Sequence, residues 1–446
     1  MDRRSFLGRA SASAIGLAVA QPLSPRATAK DDVNDRIVVA VAGVRGRGKS
    51  LLKMAASLPK VEVKYVCDVD DAVLNKQVDD VASATGRRPA AVKDFRRALD
   101  DKEVQALVLG TPDHWHAIPT IMACQAGKDV YVEKPDGHNI LEGQTMVAAA
   151  KKHRRIVQLG TQARSKPHML SAIEYIRAGH LGRALFAKAW ESSLQRSLGH
   201  PPDGTPPAGV DYDMWLGPAP LHAFNPLRFH GNWRWFFDYG TGDLGNDGVH
   251  RLDMARWALE TAVAAEGGAP LAPFPRTVSS VGGKYYFDDD QQWPDTLMVT
   301  YDYGGRVLTY EMRVWCRYTM EGESEGAAVY GDKGYIIIGN GSWRAYALQN
   351  KLVAEGKSSA DDETGVPHMQ NFFDCMRSRQ KPAADLETVG HPSSMLCHVG
   401  NAAWRLGRSV RFDPSSHTFV GDAEANQYLT RPEYRKPWTL PKIADV

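Results

Sequence analysis

IVVAVAGVRGRGKS, residues 37–50, is the stretch whose reading decides the fold. Six apolar residues, Ile37 to Ala42, run without alternation into a glycine-rich turn and then a helix-favouring segment. An unalternating apolar run suits a strand buried on both faces. A turn of this kind opening a helix offers backbone N–H groups and a helix dipole to an anion. Gly43, Gly46 and Gly48 are spaced G-x-x-G-x-G, close to the dinucleotide-binding spacing G-x-G-x-x-G. Gly43 to Ser50 also spells G-x-x-x-x-G-K-S, the P-loop pattern. Taken alone, the turn leaves both readings open.

The next strand separates them. VEVKYVCD ends on Asp68, about 20 residues past Gly48, where a dinucleotide site carries an acid for the adenosine ribose. A carboxylate there repels a 2′-phosphate and favours NAD, while Arg45 and Arg47 keep NADP open. Read as a P-loop, Asp68 would instead be a magnesium-binding acid, yet nothing else in the chain resembles a switch or sensor. Further apolar runs, ALVLGTP, DVYVEKP and IVQLGTQ, alternate with helical stretches as far as Thr161. This predicts a doubly wound parallel sheet over residues 35–161. Beyond it the pattern becomes a helix, a long Pro/Gly/Trp-rich loop, another helix and a succession of turn-spaced strands. The expected fold is therefore α/β, a Rossmann domain followed by an α+β domain (162–411) with a largely antiparallel sheet. A tail, 412–446, is expected to pack over the surface.

Composition bounds the rest. A chain of 446 residues with 43% hydrophobic and 24% charged residues is long enough for two soluble domains. A net charge of +2 supplies no field for nucleic acid. Five scattered cysteines show neither metal spacing nor a disulfide framework. Residues 1–29 differ from the remainder. Arg3-Arg4-Ser5-Phe6-Leu7 precedes a short Ala/Gly-rich apolar run and a small-residue end, PRATA. This reads as a twin-arginine signal, which implies the matching export machinery as partner and a periplasmic address. The run is too short to span a bilayer, for which about 20 apolar residues are needed.

Two strand ends carry a resemblance. Gly110-Thr111-Pro112-Asp113-His114-Trp115-His116 and Tyr131-Val132-Glu133-Lys134-Pro135 resemble the "TP-x-x-x-H" and "EKP" signatures of the glucose–fructose oxidoreductase / inositol dehydrogenase / MocA-type family. Further on, Gly240-Thr241-Gly242-Asp243-Leu244-Gly245-Asn246-Asp247-Gly248-Val249-His250 is similar to the family's "GG-x-L-x-D-x-G-x-H" element. The resemblance implies NAD(P)-dependent oxidoreduction of a carbohydrate or polyol. It places Lys134 and His250 as the residues handling the hydroxyl proton, and a cis peptide after Lys134. Thr111, Pro112, His116 and Glu133 would join Gly43, Gly46, Arg47, Gly48 and Asp68 around the cofactor. Some relatives oxidise a sugar transiently to cleave its glycosidic bond, so net glycosidase activity is an alternative. Relatives are often oligomeric, and a sheet-to-sheet homo-oligomer is a further expectation.

One position departs from the family pattern. Asn246 stands where many relatives have aspartate, and an amide cannot take a proton as a base. That departure keeps open a non-catalytic sugar-binding protein. Asp247 is adjacent but is expected to point elsewhere on a helical turn. We assign Asp247, Trp235 and Arg313 to the substrate pocket, Trp235 because aromatic faces stack on sugar rings. Asp243, Asn246, Asp247, His250 and Asp253 have some metal-ligand spacing, but no second His or Cys is linked to them, so no metal is expected.

Overall fold

The structure is a computed structural model and describes residues 36–359 and 364–446. Residues 1–29, read from the sequence as a twin-arginine signal, lie outside the described residues. The first sheet contains β1 (Ile37–Ala42), β2 (Val61–Cys67), β3 (Ala90–Val92), β4 (Ala106–Leu109), β5 (Asp129–Val132) and β6 (Val157–Leu159) in the order β3-β2-β1-β4-β5-β6. Every pairing is parallel. Helices α1 (Arg47–Ser57), α2 (Asp71–Thr85), α3 (Arg96–Leu99), α4 (Ala117–Gln125) and α5 (Ile140–Lys152) connect the strands. β1, β4 and β5 are buried along their whole length, as their unalternating sequences predict. The short β3 was not visible in the sequence, because Ala90 and Ala91 are exposed and carry no apolar signal.

After β6 come α6 (Pro167–Arg177), β7 (Ala184–Ser192), α7 (Tyr212–Leu216) and α8 (Val249–Ala265). Strands β8 (Thr277–Gly283), β9 (Thr296–Asp302), β10 (Val307–Arg313), β11 (Glu325–Gly331), β12 (Gly334–Ile338), β13 (Ser342–Ala347) and β14 (Lys351–Lys357) follow, then α9 (Val366–Ser378) and α10 (His391–Leu406). The second sheet has the order β14-β13-β12-β11-β7-β10-β9-β8. It is antiparallel except where β7 runs beside β10. Helix α8 packs on β7 and β11. That contact carries the catalytic-looking Gly240–His250 element onto the middle of the sheet.

The chain returns to the first sheet after the second is built. Met369, Phe372, Phe373 and Met376 of α9 join the core that holds β1 and α1. Trp438 and Val446 join the core on the sheet's other side, with Trp438 at 4.8 Å from Trp115 between ring centroids. The tail was expected to lie over the surface. Most of it is exposed or half-buried, and Trp438, 5% exposed, anchors it because the aromatic pocket formed by Phe95 and Trp115 removes that ring from water.

Candidate active site

The glycine turn forms the floor of a cleft of about 330 Å³ at the carboxyl ends of β1, β2, β4 and β5. A Cβ on Gly43 (φ +73°) would lie 2.7 Å from the Thr111 nitrogen, and one on Gly110 would lie 2.6 Å from the Gly48 Cα. Strand ends and helix start therefore touch through backbone alone, which only glycine allows. Gly46 differs. Its φ of +51° also demands glycine, but no atom lies within 4 Å of its would-be Cβ. It caps α1 with no side-chain hydrogen bond. No side chain therefore caps α1; the Gly48 N–H is taken by the Arg45 carbonyl at 3.0 Å, and the other N–H groups at the start of the helix are left for an anion. Lys49 and Ser50 do not line the cleft, whereas Arg45, Gly46 and Arg47 do, which removes the side chains a P-loop would use.

Asp68 sits at the same floor. Its carboxylate accepts from the Val44 N–H (2.9 Å) and the Asp70 N–H (3.1 Å). Burial pushes its pKa up while these amides pull it down. The geometry fits a dinucleotide, with an open helix start for phosphate and an acid at the end of β2 for ribose. Arg47 is held by Glu133, Nε to Oε1 2.9 Å, and Gln162 donates to the same oxygen at 3.1 Å. Glu133 therefore positions Arg47 at the cleft wall. Thr111 and Pro112 also line the cleft.

His116 does not. It is 1% exposed, with Nδ1 at 2.6 Å from the Pro135 carbonyl and Nε2 at 2.9 Å from the Thr111 carbonyl. Expected to touch the cofactor, it instead ties the two motif loops together, because both ring nitrogens are used on backbone. His114 does similar work for the loop above, meeting the Trp215 carbonyl at 2.9 Å. Asp113, which sequence reading had not assigned, accepts from the Thr241 hydroxyl at 2.7 Å and lines the cleft.

Lys134 stands on the cleft wall, and the Lys134–Pro135 peptide is cis. Its Nζ donates to Asn246 Oδ1 at 3.0 Å and to the Asn246 carbonyl at 2.5 Å. Asn246 lies in a π-helical turn, Leu244–Gly248, which runs straight into α8. His250 follows one turn on and makes no hydrogen bond among the described residues. Burial, then the charge of Lys134, holds its pKa well below the usual imidazole value, so the ring is kept neutral. Lys134 and Asn246 thus meet at the cleft, whereas His250 is not among its lining residues.

Three substrate assignments need correction. Trp235 is 1% exposed and belongs to the core of the second sheet, while Trp233 and Arg234 line the cleft in its place. The short 3₁₀ turn Asn232–Trp235 sends neighbouring rings to opposite sides. Arg313 alternates with the buried Met312 and lies on the sheet face away from α8, paired with Glu311 at 3.3 Å. Asp247 does not point away from the site. Asn246 Nδ2 donates to its Oδ2 at 3.0 Å, and it converges with Asp243 and Glu191. Glu191, on β7, was missed because an acid within AKAWES reads as a solvated edge. Asp253 lies elsewhere, in a buried bidentate pair with Arg164 (2.8 and 2.9 Å).

A parallel nucleotide-binding sheet whose cleft is closed by the helix start of a second sheet defines an NAD-binding oxidoreductase. The chain belongs to the GFO/IDH/MocA oxidoreductase family. Residues 37–161 match the family's NAD-binding Rossmann fold and residues 195–267 and 284–440 its C-terminal alpha/beta domain. A glycosyl hydrolase family 109 protein of Shewanella baltica (strain OS155 / ATCC BAA-1091) is 27% identical over 208 residues, 42% of this chain and 45% of the relative. Another, from Saccharopolyspora erythraea, is 29% identical over 220 residues, 44% of this chain and 47% of the relative. These alignments span less than half the length of those curated relatives. The fold is shared with levoglucosan dehydrogenase in complex with NADH and levoglucosan (TM-score 0.64, 17% identity, covering 84% of this chain and 99% of that one). It is also shared with aldose-aldose oxidoreductase from Caulobacter crescentus complexed with glycerol (TM-score 0.62, 17% identity, 84% and 100%).

Proposed function

We propose that this chain is an exported oxidoreductase that transfers hydride between a tightly retained NAD and a hydroxyl or carbonyl carbon of a carbohydrate or polyol. The observation that carries this reading is the pairing of Lys134 with Asn246 at the cleft wall, above a floor formed by the glycine turn and Asp68. When bound, NAD supplies the hydride acceptor or donor; the chain's own residues manage the proton. Lys134 Nζ, aimed by two oxygens of Asn246, holds the substrate oxygen and exchanges a proton with it. His250, kept neutral by burial and by Lys134, is suited to hydrogen-bond a substrate hydroxyl rather than to carry its proton. The amide at 246 orients Lys134 without competing for the proton.

Retention is supported by the loop between β7 and α8, which straps the cleft mouth. The Asp71 N–H donates to the Gly209 carbonyl (3.2 Å) and the Asp211 N–H to the Val69 carbonyl (2.9 Å). His230 meets Asp70 at 2.9 Å. Export is supported by the Arg3-Arg4 leader, and slow cofactor exchange suits a compartment where free NAD is scarce. The partly exposed stack Tyr330–Tyr335–Tyr346 on the outer sheet face supports a homo-oligomer, which sedimentation tests. The names of the curated relatives favour a second reading, in which transient sugar oxidation leads to net glycosidic cleavage.

The test is turnover by Lys134→Ala. It is expected to lose sugar-dependent reduction of bound NAD while retaining the nucleotide. Turnover at the wild-type rate would overturn the assigned role.

A further inference from the structure

Beside Asn246 three carboxylates meet. Glu191 comes from the centre of the second sheet, and Asp243 and Asp247 from the start and middle of the π-helical turn. One oxygen of each lies within 4.8 Å of the others. Glu191 is 3% and Asp243 1% exposed. Among the described residues, neither oxygen of Asp243 has a hydrogen-bond partner, nor has Glu191 Oε2. Asp247 receives one bond, from Asn246. The nearby cations act on the cluster only at a distance: Arg251 pairs with Glu325 at 2.6 Å, Lys134 holds Asn246, Arg234 donates to the Gly231 carbonyl, and none forms an ion pair with the three carboxylates among the described residues.

A second observation comes from a different strand. Tyr310, on β10, is fully buried, and its hydroxyl has no partner. It comes from beneath the turn, where a Cβ on Gly248 would lie 2.7 Å from that hydroxyl. All three carboxylates act on it electrostatically. Buried polar groups are nearly always satisfied, and buried charges are paired or hold a metal. A proton shared between two carboxylates leaves the third without a partner. Oxygen atoms 2.3–2.6 Å from one ion are at most about 5 Å apart, so the spacing suits a common ligand, and an all-oxygen set selects a hard cation.

We propose that Glu191, Asp243 and Asp247, with the Tyr310 hydroxyl beside them, form a binding site for a hard divalent cation of the calcium or manganese type. Residue spacing alone pointed away from a metal; the missing member was Glu191, supplied by a strand more than fifty residues upstream of the turn. Bound there, the cation offsets two of the three negative charges and fixes the turn that carries Asn246 to Lys134. The site does not depend on which sugar, if any, the enzyme oxidises.

The test is calorimetric titration of the full mature protein, chelator-treated and dialysed, with CaCl2 and separately with MnCl2 at pH 8. One saturable site per chain is expected. Asp243→Asn and Glu191→Gln should each weaken it at least about 30-fold, while the remote surface variant Glu387→Gln leaves it unchanged. Calcium should also raise the melting temperature of the wild type but not of either site variant, and each variant's far-UV spectrum reports whether it has folded. Using two separate variants keeps the test decisive if one fails to fold. No saturable binding by the wild type, or binding unaltered in a folded site variant, overturns the proposal and leaves protons as the neutralising agent. Cation binding is read without turnover, so failure here is distinct from failure of the oxidoreductase reading.

Discussion

Replacing Gly46 by alanine separates a ligand cradle from a merely tight turn. Gly46 has φ +51° and ψ −115°, a region nearly closed to residues with a Cβ, so strain of roughly 1–3 kcal/mol is expected. No protein atom meets the new methyl group, so the fold should survive with a melting temperature lower by a few degrees at most. The methyl group projects where the uncapped N–H groups of α1 await an anion. Losing one charge-assisted hydrogen bond costs about 1.5–3 kcal/mol. At 1.4 kcal/mol per tenfold, the NAD dissociation constant should rise roughly 10- to 150-fold. Gly86→Ala is the control, since Gly86 also has a positive φ (+71°) and an open surrounding but ends α2. It should lose similar stability and no affinity. Titration calorimetry of cofactor-stripped protein measures both. Unchanged NAD binding by Gly46→Ala, or equal losses in the two variants, would refute the cradle.

Other perturbations follow from the same geometry. Arg164→Met strands the buried Asp253 carboxylate, which keeps only Ser393 as a side-chain partner, and should cost about 3–5 kcal/mol by urea unfolding; a loss under 1 kcal/mol would contradict the pair's burial. Asn246→Asp places a carboxylate 3.0 Å from Lys134 Nζ, favouring the ammonium form, and should move the pH–rate profile toward alkaline pH; an unmoved profile would remove Lys134 from the proton path. Acid stability should be set largely by buried histidines. Burial depresses His114 to about 3 and His368 to about 4, and lowers His138 and His250 as well. The unfolded chain binds these protons first, so their contribution is fully present above about pH 6.5 and falls below it, by up to roughly 1.4 kcal/mol per pH unit for each histidine. Asp243 works in the opposite sense. Burial and Asp247 raise it to about 7, so in chelator its cost grows as pH rises from about 3.9 toward that value. Asp243→Asn should then stabilise the protein at pH 8 and not at pH 4, as unfolding curves at the two pH values will show.

The first sheet was legible because it is buried on both faces. Ile37–Ala42, Ala106–Leu109 and Asp129–Val132 announce themselves as apolar runs, and the glycines between strand and helix are required by backbone contact. Two strands of the second sheet, β13 and β14, were not legible. Lys351–Lys357 is an exposed, charged edge, and the hairpin before it turns on Gln349 and Asn350 with positive φ instead of on glycine. At the site, residues fixed by strand ends and helix starts were found: Lys134, Asn246, Asp68 and the glycines. Residues whose direction depends on a neighbouring element were not. Trp235 and Arg313 turn away from the cleft because of a 3₁₀ turn and strand parity. Asp247 turns inward because the helix opens with a wider π turn, and Glu191 meets it only through the tertiary packing of α8 on β7.

The most direct test of the central claim is the nucleotide content of the protein purified, without added cofactor, from cells expressing the full-length chain. The protein is denatured and the released small molecules are quantified by mass spectrometry. The proposed function predicts close to one NAD or NADH per chain, held through purification by the strap over the cleft. Absence of nucleotide, together with no nicotinamide binding on titration, would contradict it.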